Sequence, residues 1–152
     1  MALTEPSRNK DAYTDAQGQN KSSRSAQIYS DLDLFFGQNN KTEDVNIVYD
    51  VQAVKRSVRN LVFLNVFDKP FHPEISSGVR ETLFELMTPI TAIILAKQVE
   101  NVIENFEPRA LLAGVKALPN LDRNEYEVTV EFYIVNAPTE LISLTLPLER
   151  LR

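Results

Sequence analysis

The stretch Asn105-Phe106-Glu107-Pro108-Arg109 divides the chain, because a helical pattern ends at it and a strand-rich pattern begins after it. Pro108 lacks a backbone N–H and disfavours the α region for the residue before it, so the chain has to turn here. Glu107 and Arg109 are therefore held on either side of a rigid turn, the Glu-Pro-Arg corner. Two interpretations are open: the two charges cap the helix end or pair locally, or they present an acceptor and a forked donor to a partner protein.

An amphipathic helix is predicted upstream of the corner. Thr88 followed by Pro89 is typical of a helix start, since Thr caps free N–H groups and proline fits the first helical position. The helix then runs for about five turns at ~3.6 residues per turn. Apolar residues recur close to helical spacing. The side chains expected to face the core are Ile90, Ile93, Ile94, Val99, Val102, Ile103 and Phe106.

Two further helices are predicted earlier in the chain, after a short extended piece over residues 46–49. Asp50 is expected to be the N-cap of a helix over residues 50–66, which has one apolar and one charged face. Residues 67–78 contain two prolines and a glycine and are predicted to form an irregular loop. A short helix is expected over residues 79–87. Its inward side chains are expected to be Val79, Leu83, Phe84 and Met87.

A strand-rich region follows the corner. Residues 110–118 form an apolar run whose position favours a strand, and residues 119–124 supply turn residues. Over residues 125–136 apolar and polar side chains alternate, which is typical of a half-buried strand. The apolar set of that strand is Tyr126, Val128, Val130, Phe132 and Ile134. A last strand is predicted from the alternation of Ile142, Leu144, Leu146 and Leu148, and Pro147 indicates that this strand lies at an edge or ends there.

These patterns predict an α+β fold, in which a small antiparallel sheet of about three C-terminal strands packs against two or three helices. Residues 1–24 are polar and are predicted to form a flexible N-terminal tail, which leaves residues 25–152 as a single domain. The tail could also be an arm that orders against a neighbour during assembly. The edge strand near the end of the chain carries free backbone groups, to which another chain could add a strand.

Composition argues against several classes of partner. The net charge is -5 and the isoelectric point is near 4.9, whereas a nucleic-acid surface needs clustered Lys and Arg. The sequence contains no cysteine, so a disulfide framework and thiolate chemistry are excluded. Apolar runs are too short to span a membrane, and the N-terminus lacks the apolar core of a signal peptide. We expect a protein made and assembled in cytosol, with no nucleic-acid or membrane partner.

Candidate catalytic and metal-ligating residues are few. Asp31 and Asp33 alternate, but a cation site needs several more oxygen ligands, so both are interpreted as turn and capping residues. His72 is the only histidine. Without a cysteine or a second histidine it cannot form a zinc site, and without a nucleophile motif it is a poor catalytic base. We predict no catalytic, cofactor-binding or metal-binding residue.

Four short motifs, in this order, carry a resemblance to a known family. They are Ile28-Tyr29-Ser30-Asp31-Leu32-Asp33, Pro70-Phe71-His72-Pro73-Glu74 with Gly78, Leu83-Phe84-Glu85-Leu86-Met87-Thr88-Pro89, and Phe106-Glu107-Pro108-Arg109-Ala110. Together they resemble the baseplate wedge family of contractile phage tails, which includes sheath initiators and a type VI secretion baseplate subunit. The match covers residues 28–152. His72 departs from the family, which more often has an acidic or amide residue there.

The resemblance implies a structural, non-enzymatic baseplate component of the virion tail, assembled in the host cytoplasm and without a cofactor. In the family the Glu-Pro-Arg corner docks on a helical bundle at the core of the wedge, and the terminal sheet templates the first sheath subunits by strand addition. The implied partners are other baseplate wedge proteins and the tail sheath protein, with tail tube or hub proteins as further candidates. The implied partner-binding residues are Glu107, Pro108, Arg109, Ile142, Leu144 and Leu146.

Two alternatives are open. The family has carried a lysozyme-like label, so a glycoside hydrolase could use Glu104 and Glu107 as acid and nucleophile. These carboxylates lie three positions apart at a helix end, and no sugar-binding aromatics stand at a recognisable spacing. A type VI secretion baseplate subunit would share the whole assembly mechanism. For the assembly role, we expect Arg109→Ala to leave the fold intact and to prevent incorporation into baseplates.

Overall fold

The computed structural model describes residues 28–40, 43–135 and 137–150. In chain order the elements are β1 (Ser30–Leu32), β2 (Ile47–Tyr49), α1 (Asp50–Phe63), α2 (Val79–Thr82), α3 (Pro89–Phe106), β3 (Ala110–Asn120), β4 (Glu125–Ile134) and β5 (Ala137–Glu149). The predicted tail over residues 1–24 lies outside the described residues. The elements confirm the α+β fold class.

The three C-terminal strands form an antiparallel sheet in the order β3-β4-β5. The alternating apolar set of β4, from Tyr126 to Ile134, is buried as predicted. β5 lies at an edge, as Pro147 indicated, because a residue without an N–H is tolerated where no further strand needs it. Strand β3 extends into residues 119–120, which were expected to belong to the turn. The sheet continues there because Pro119 and Asn120 pair with Tyr126 and Glu125.

A second, two-stranded antiparallel sheet joins β1 to β2, with Ser30 opposite Tyr49. The extended piece predicted over residues 46–49 is thus confirmed as β2. Its partner β1 was not predicted, because a strand of three residues is too short to show an alternating pattern.

Helix α1 differs from the prediction at both ends. Tyr49 is the N-cap residue, and Asp50 has a positive φ of 45°. The Asp50 carboxylate accepts hydrogen bonds from the backbone N–H groups of Ile28 (2.8 Å) and Tyr29 (3.1 Å) instead of capping its own helix. The helix ends at Phe63, before residue 66, because the backbone at the next residue is extended.

Helix α2 is a single turn, shorter than the predicted residues 79–87. It begins after Gly78, whose φ of 64° is a left-handed conformation that suits glycine. Val79 and Leu83 are buried as predicted, but Phe84 is exposed. The placement of Phe84 was wrong because the helix has ended before it, so helical spacing no longer sets its direction.

Helix α3 begins and ends as predicted, with the Thr88 hydroxyl oxygen accepting the Thr91 N–H at 3.1 Å. Its buried face consists of Thr91, Ala92, Leu95, Val99, Val102 and Ile103. The three isoleucines expected in the core, Ile90, Ile93 and Ile94, are exposed. Apolar residues occupy two faces of the first turns of α3. Only the face that rests against the sheet is buried, so the orientation of the helix on the sheet decides which apolar residues are covered.

The core lies between the sheet and the helices. α3 packs against β3, and α1 packs against α3. One buried cluster contains side chains of all three helices and all three long strands, including Val58, Val79, Leu95, Phe132 and Leu146. None of the described helices is long and apolar enough to cross a membrane.

Candidate functional site

The Glu-Pro-Arg corner turns the chain from α3 into β3. The backbone N–H of Glu107 donates to the carbonyl of Ile103 at 2.9 Å, which closes the last helical turn. The Glu107 carbonyl accepts from the N–H of Ala110 at 3.1 Å. Pro108 is exposed at the apex, so it is the part of the corner that solvent reaches most freely.

The Glu107 carboxylate is buried, and both of its oxygens have partners. Arg109 donates from Nε to Oε1 at 2.7 Å and from Nη2 to Oε2 at 3.1 Å, a bidentate geometry. The hydroxyl of Ser57, on α1, donates to Oε2. Only 3% of the Glu107 surface is exposed, so its charge depends on these groups for compensation.

Arg109 also binds the first strand. Its Nη1 donates to both carboxylate oxygens of Asp31, at 2.9 and 3.1 Å, and its guanidinium lies 5.8 Å from the ring centre of Tyr29. Hydrogen bonds to Glu107 and then to Asp31 raise the pKa of Arg109 above its ordinary value. We call Asp31, Ser57, Glu107 and Arg109 the corner network.

The corner network bears on the first of the two interpretations of the corner. Glu107 and Arg109 pair with each other within the chain, as the local interpretation predicted. The interpretation of Asp31 as a turn or capping residue was wrong: it lies in β1 and pairs with Arg109 across 78 sequence positions. No local pattern in the sequence could show that pairing.

Asp33 confirms its interpretation as a turn residue. Its carboxylate accepts the backbone N–H of Phe35 at 3.1 Å and also pairs with Arg56 on α1. The hydrogen bond from Phe35, and then the contact with Arg56, lower the pKa of Asp33. A further tie comes from the Tyr29 hydroxyl, which donates to the Val135 carbonyl at 3.1 Å. The segment around β1 is therefore fixed both to α1 and to the end of β4.

A groove of about 750 Å³ borders the corner network between the β1 segment and α1. Its lining residues are Ser30, Asp31, Leu32, Leu34, Phe35, Arg56, Ser57, Arg59, Asn60, Leu61 and Leu64. Leu32, Leu34 and Phe35 are exposed there, and Arg59 adds an exposed cation. We call this feature the corner groove. Sequence reasoning did not find it, because it is built from segments that are distant in the chain.

The implied partner-binding residues of β5 lie at the sheet edge but point inward. Ile142 and Leu146 are buried in the core, and Leu144 is half-buried. Within the described part of the chain β5 pairs only with β4, so its other backbone edge carries no strand. What β5 can offer a partner is therefore its main chain rather than these three side chains.

The residues considered for catalysis and metal binding are not brought together. Glu104 is exposed at the end of α3, while both oxygens of Glu107 are occupied within the corner network. His72 is an exposed residue whose Nδ1 lies 2.9 Å from Glu74, and this contact lowers the pKa of that carboxyl. Among the described residues no group of three or more His, Asp or Glu could hold a metal ion.

Comparison with known proteins gives a sequence relative and several solved structures of similar fold. No protein-family model matches the chain. The chain is 27% identical to baseplate wedge protein gp25 of Enterobacteria phage T4 over 121 residues, which covers 80% of this chain and 91% of that protein.

Two of these solved structures illustrate the similarity in fold, which comes with low sequence identity. A protein of Geobacter sulfurreducens, provisionally named a tail lysozyme, has a TM-score of 0.62 and 18% identity and covers 66% of this chain and 91% of its own. A chain of the anti-feeding prophage baseplate has a TM-score of 0.57 and 18% identity and covers 82% of this chain and 87% of its own. At such identity the two structures show the shared fold alone.

Proposed function

We propose that this chain, a homologue of a phage baseplate wedge protein, is a structural component of the baseplate of a contractile tail. The observation that carries the proposal is the sequence match over four fifths of the chain, which confirms the resemblance to the baseplate wedge family. The fold shared with a chain of the anti-feeding prophage baseplate agrees with it. The chain then works in the virion tail, among other baseplate proteins.

The geometry of the corner argues against the hydrolase alternative. A glycosidase needs one carboxyl group that can donate a proton and a second that can attack or activate water across a cleft. Glu107 is buried and engaged by Arg109 and Ser57, so it cannot reach a substrate. The tail lysozyme name belongs to a protein that shares only the fold with this chain.

We infer that the chain docks on the helical core of the wedge at the corner and the corner groove. Inside the protein, Arg109 and Glu107 hold β1 against α1 and so keep the groove in shape. Outside, the corner offers a partner helix Pro108 and the exposed part of Arg109, and the groove, which shares Asp31 and Ser57 with the corner network, offers its apolar rim. Burying Leu32, Leu34 and Phe35 would remove apolar surface from water, which favours association.

The second proposed contact is strand addition to β5, by which the terminal sheet templates the first sheath subunits. β5 has thirteen residues and an unpaired edge within the described structure. The opposite edge strand, β3, is less suitable because it carries a bulge between Leu112 and Gly114 and an exposed Lys116, features that discourage pairing. β5 pairs with β4 in continuous register from Ile142 to Leu148, although Pro147 in this stretch has no N–H.

The two contacts together explain how a baseplate component could start a sheath. Docking at the corner fixes the orientation of the chain, and main-chain bonds along β5 fix the register of the arriving strand. A preformed, oriented edge spares the first sheath subunits part of the entropy cost of association. Nucleation then depends on both surfaces.

The strand-addition step can be tested with Thr145→Pro. Pro147, two positions further along β5, pairs with β4 although it has no N–H. Backbone groups two positions apart in a strand point the same way, so Thr145→Pro is expected to keep its pairing with β4 and to lose an N–H that points away from β4. Thr145→Val, which keeps the N–H, is the matched control. In co-expression with the neighbouring sheath protein, we expect wild type and Thr145→Val to bind and nucleate sheath, and Thr145→Pro to do neither. Sheath growth on folded Thr145→Pro would refute strand addition at β5.

The docking step can be tested with Phe35→Asp, which places a charge on the apolar rim of the groove. Phe71→Asp is the matched control, since Phe71 is also a strongly exposed phenylalanine but lies outside the groove. We expect Phe35→Asp to lose its pull-down with the wedge-core proteins encoded nearby and Phe71→Asp to keep it. Equal binding by both variants would exclude the groove as the docking surface. The alternative of a type VI secretion baseplate subunit predicts the same contacts and is distinguished by the neighbouring genes.

A further inference from the structure

A pocket of about 340 Å³ opens beside the last residues of β5. Its lining includes Val62, Val79, Arg80, Pro147, Leu148 and Glu149. They come from the end of α1, from α2 and from the edge strand itself. We call this feature the edge pocket.

The edge pocket has an apolar floor and a charged rim. Val62, Val79 and Leu148 are buried, whereas Arg80 and Glu149 are exposed at the mouth. The side chain of Arg150 donates from Nε to the carbonyl of Glu85 at 3.1 Å, which ties the end of β5 to the turn after α2 and holds the walls together. A volume at the small end of the range for ligand pockets suits one or two amino-acid side chains rather than a whole cofactor.

We propose that the edge pocket receives a large apolar side chain from the strand that adds to β5. This inference rests on the proposed function, since it names what the arriving strand must carry. Side chains of a strand alternate between the two faces of a sheet, so those of an added strand on the same face as Leu148 would point toward the helices that wall the pocket. The pocket shares Pro147, Leu148 and Glu149 with the edge, so strand and anchor would bind on one continuous surface.

Pro147 explains why an anchor is needed at this point. A proline has no N–H to give to an arriving strand, so the main-chain ladder along β5 is interrupted there. Burial of a side chain beside Pro147 would supply binding where the ladder cannot. In strand addition, main-chain bonds provide affinity and pockets for alternate side chains provide specificity. The edge pocket would therefore select which strand pairs with β5.

The proposal is tested with Arg80→Trp, which fills the pocket from its mouth. The probe is the purified sheath protein encoded beside this chain, and its Kd for the full-length protein is measured by calorimetry. Two controls separate the causes: Glu81→Trp adds the same bulk one residue away, outside the edge pocket, and Arg80→Ala removes the cation without filling the space. We expect Arg80→Trp to weaken binding about tenfold or more, as loss of an interface anchor does, with both controls near wild type.

Each of the other outcomes of the binding experiment points to a single cause. Failure of the wild type to bind the sheath protein would overturn the proposed strand addition to β5 and this inference with it. If Thr145→Pro loses sheath binding while Arg80→Trp binds like wild type, strand addition to β5 is supported. The proposal that the edge pocket receives a side chain is then refuted. Equal weakening of sheath binding in Arg80→Ala and Arg80→Trp would show that the lost charge causes the effect, not the filled space. That result would also refute the role of the edge pocket. Glu149→Trp fills the pocket from the strand side and replaces Arg80→Trp if thermal unfolding shows that variant to be misfolded.

Discussion

At Arg109 a single guanidinium connects three parts of the chain. It pairs with Glu107 at the corner and with Asp31 in β1, and Glu107 in turn accepts a hydrogen bond from Ser57 on α1. The expectation that Arg109→Ala would leave the fold intact has to be revised for this reason. A charge that organises contacts within the chain cannot be deleted without consequence for stability.

We predict that Arg109→Ala lowers the free energy of unfolding by about 3 kcal/mol, because removing one partner of a buried pair leaves the other charge uncompensated. The value is at the lower end for such pairs, since about a quarter of the Arg109 side chain is exposed. Urea denaturation followed by circular dichroism measures it. The double variant Glu107→Gln/Arg109→Ala should be more stable than Arg109→Ala alone, because the buried charge of Glu107 is removed and only the more exposed Asp31 carboxylate has lost its partner. A single variant as stable as wild type would contradict the role of the network.

Helix α3 shows at the scale of an element how packing selects one of two apolar faces. Leu95 is fully buried against the sheet, while Ile93, two positions earlier, is mostly exposed. Both residues are large and aliphatic, so composition does not distinguish them. Their environments differ only because α3 rests on β3 along one side.

A pair of alanine substitutions on α3 tests this assignment. We predict that Leu95→Ala lowers the free energy of unfolding by about 2 to 5 kcal/mol, because it leaves a cavity in the core. Ile93→Ala should change it by less than about 0.5 kcal/mol, as exposed substitutions usually do. Chemical denaturation of both variants beside wild type is sufficient. Similar losses in the two variants would mean that the helix is rotated from the orientation described here.

At the scale of the whole molecule, the β1 segment, residues 28–33, connects the Glu-Pro-Arg corner, α1 and the end of β4. Asp31 binds Arg109, Asp33 binds Arg56, and the Tyr29 hydroxyl binds the Val135 carbonyl. The Asp50 carboxylate accepts two further hydrogen bonds, from the backbone N–H groups of Ile28 and Tyr29 at the start of the segment. Residues 28–33 are therefore part of the folded domain, although they precede the first helix.

Two truncations test how the domain begins. Deleting residues 1–24 should leave the melting temperature unchanged, since that stretch is predicted to be a flexible tail. Deleting residues 1–34 should lower it by about 10 °C or more, because the Arg109 network loses Asp31 and a loss of 1 kcal/mol lowers the melting temperature of a domain this size by several degrees. Differential scanning calorimetry gives both values. A marked loss of stability in the shorter truncation would mean that the first 24 residues pack against the domain.

The sequence by itself determined the features that depend on neighbouring residues. The alternation in β4, the Thr88-Pro89 helix start and the turn at Pro108 were all predicted correctly, because each follows from backbone geometry or from a period along a few residues. The same local reasoning predicted the edge position of β5 from Pro147. The baseplate wedge resemblance likewise came from short motifs in a particular order.

Only the tertiary structure decided which distant groups meet. One partner of Arg109, Asp31, lies 78 positions away, and Ser57 reaches Glu107 across 50 positions. The face of α3 that is buried, the single turn of α2 and both the corner groove and the edge pocket also depend on how elements pack. A hydrophobic periodicity indicates that a side chain can be buried. Burial itself requires a second surface to pack against, and segments far away in the chain supply that surface.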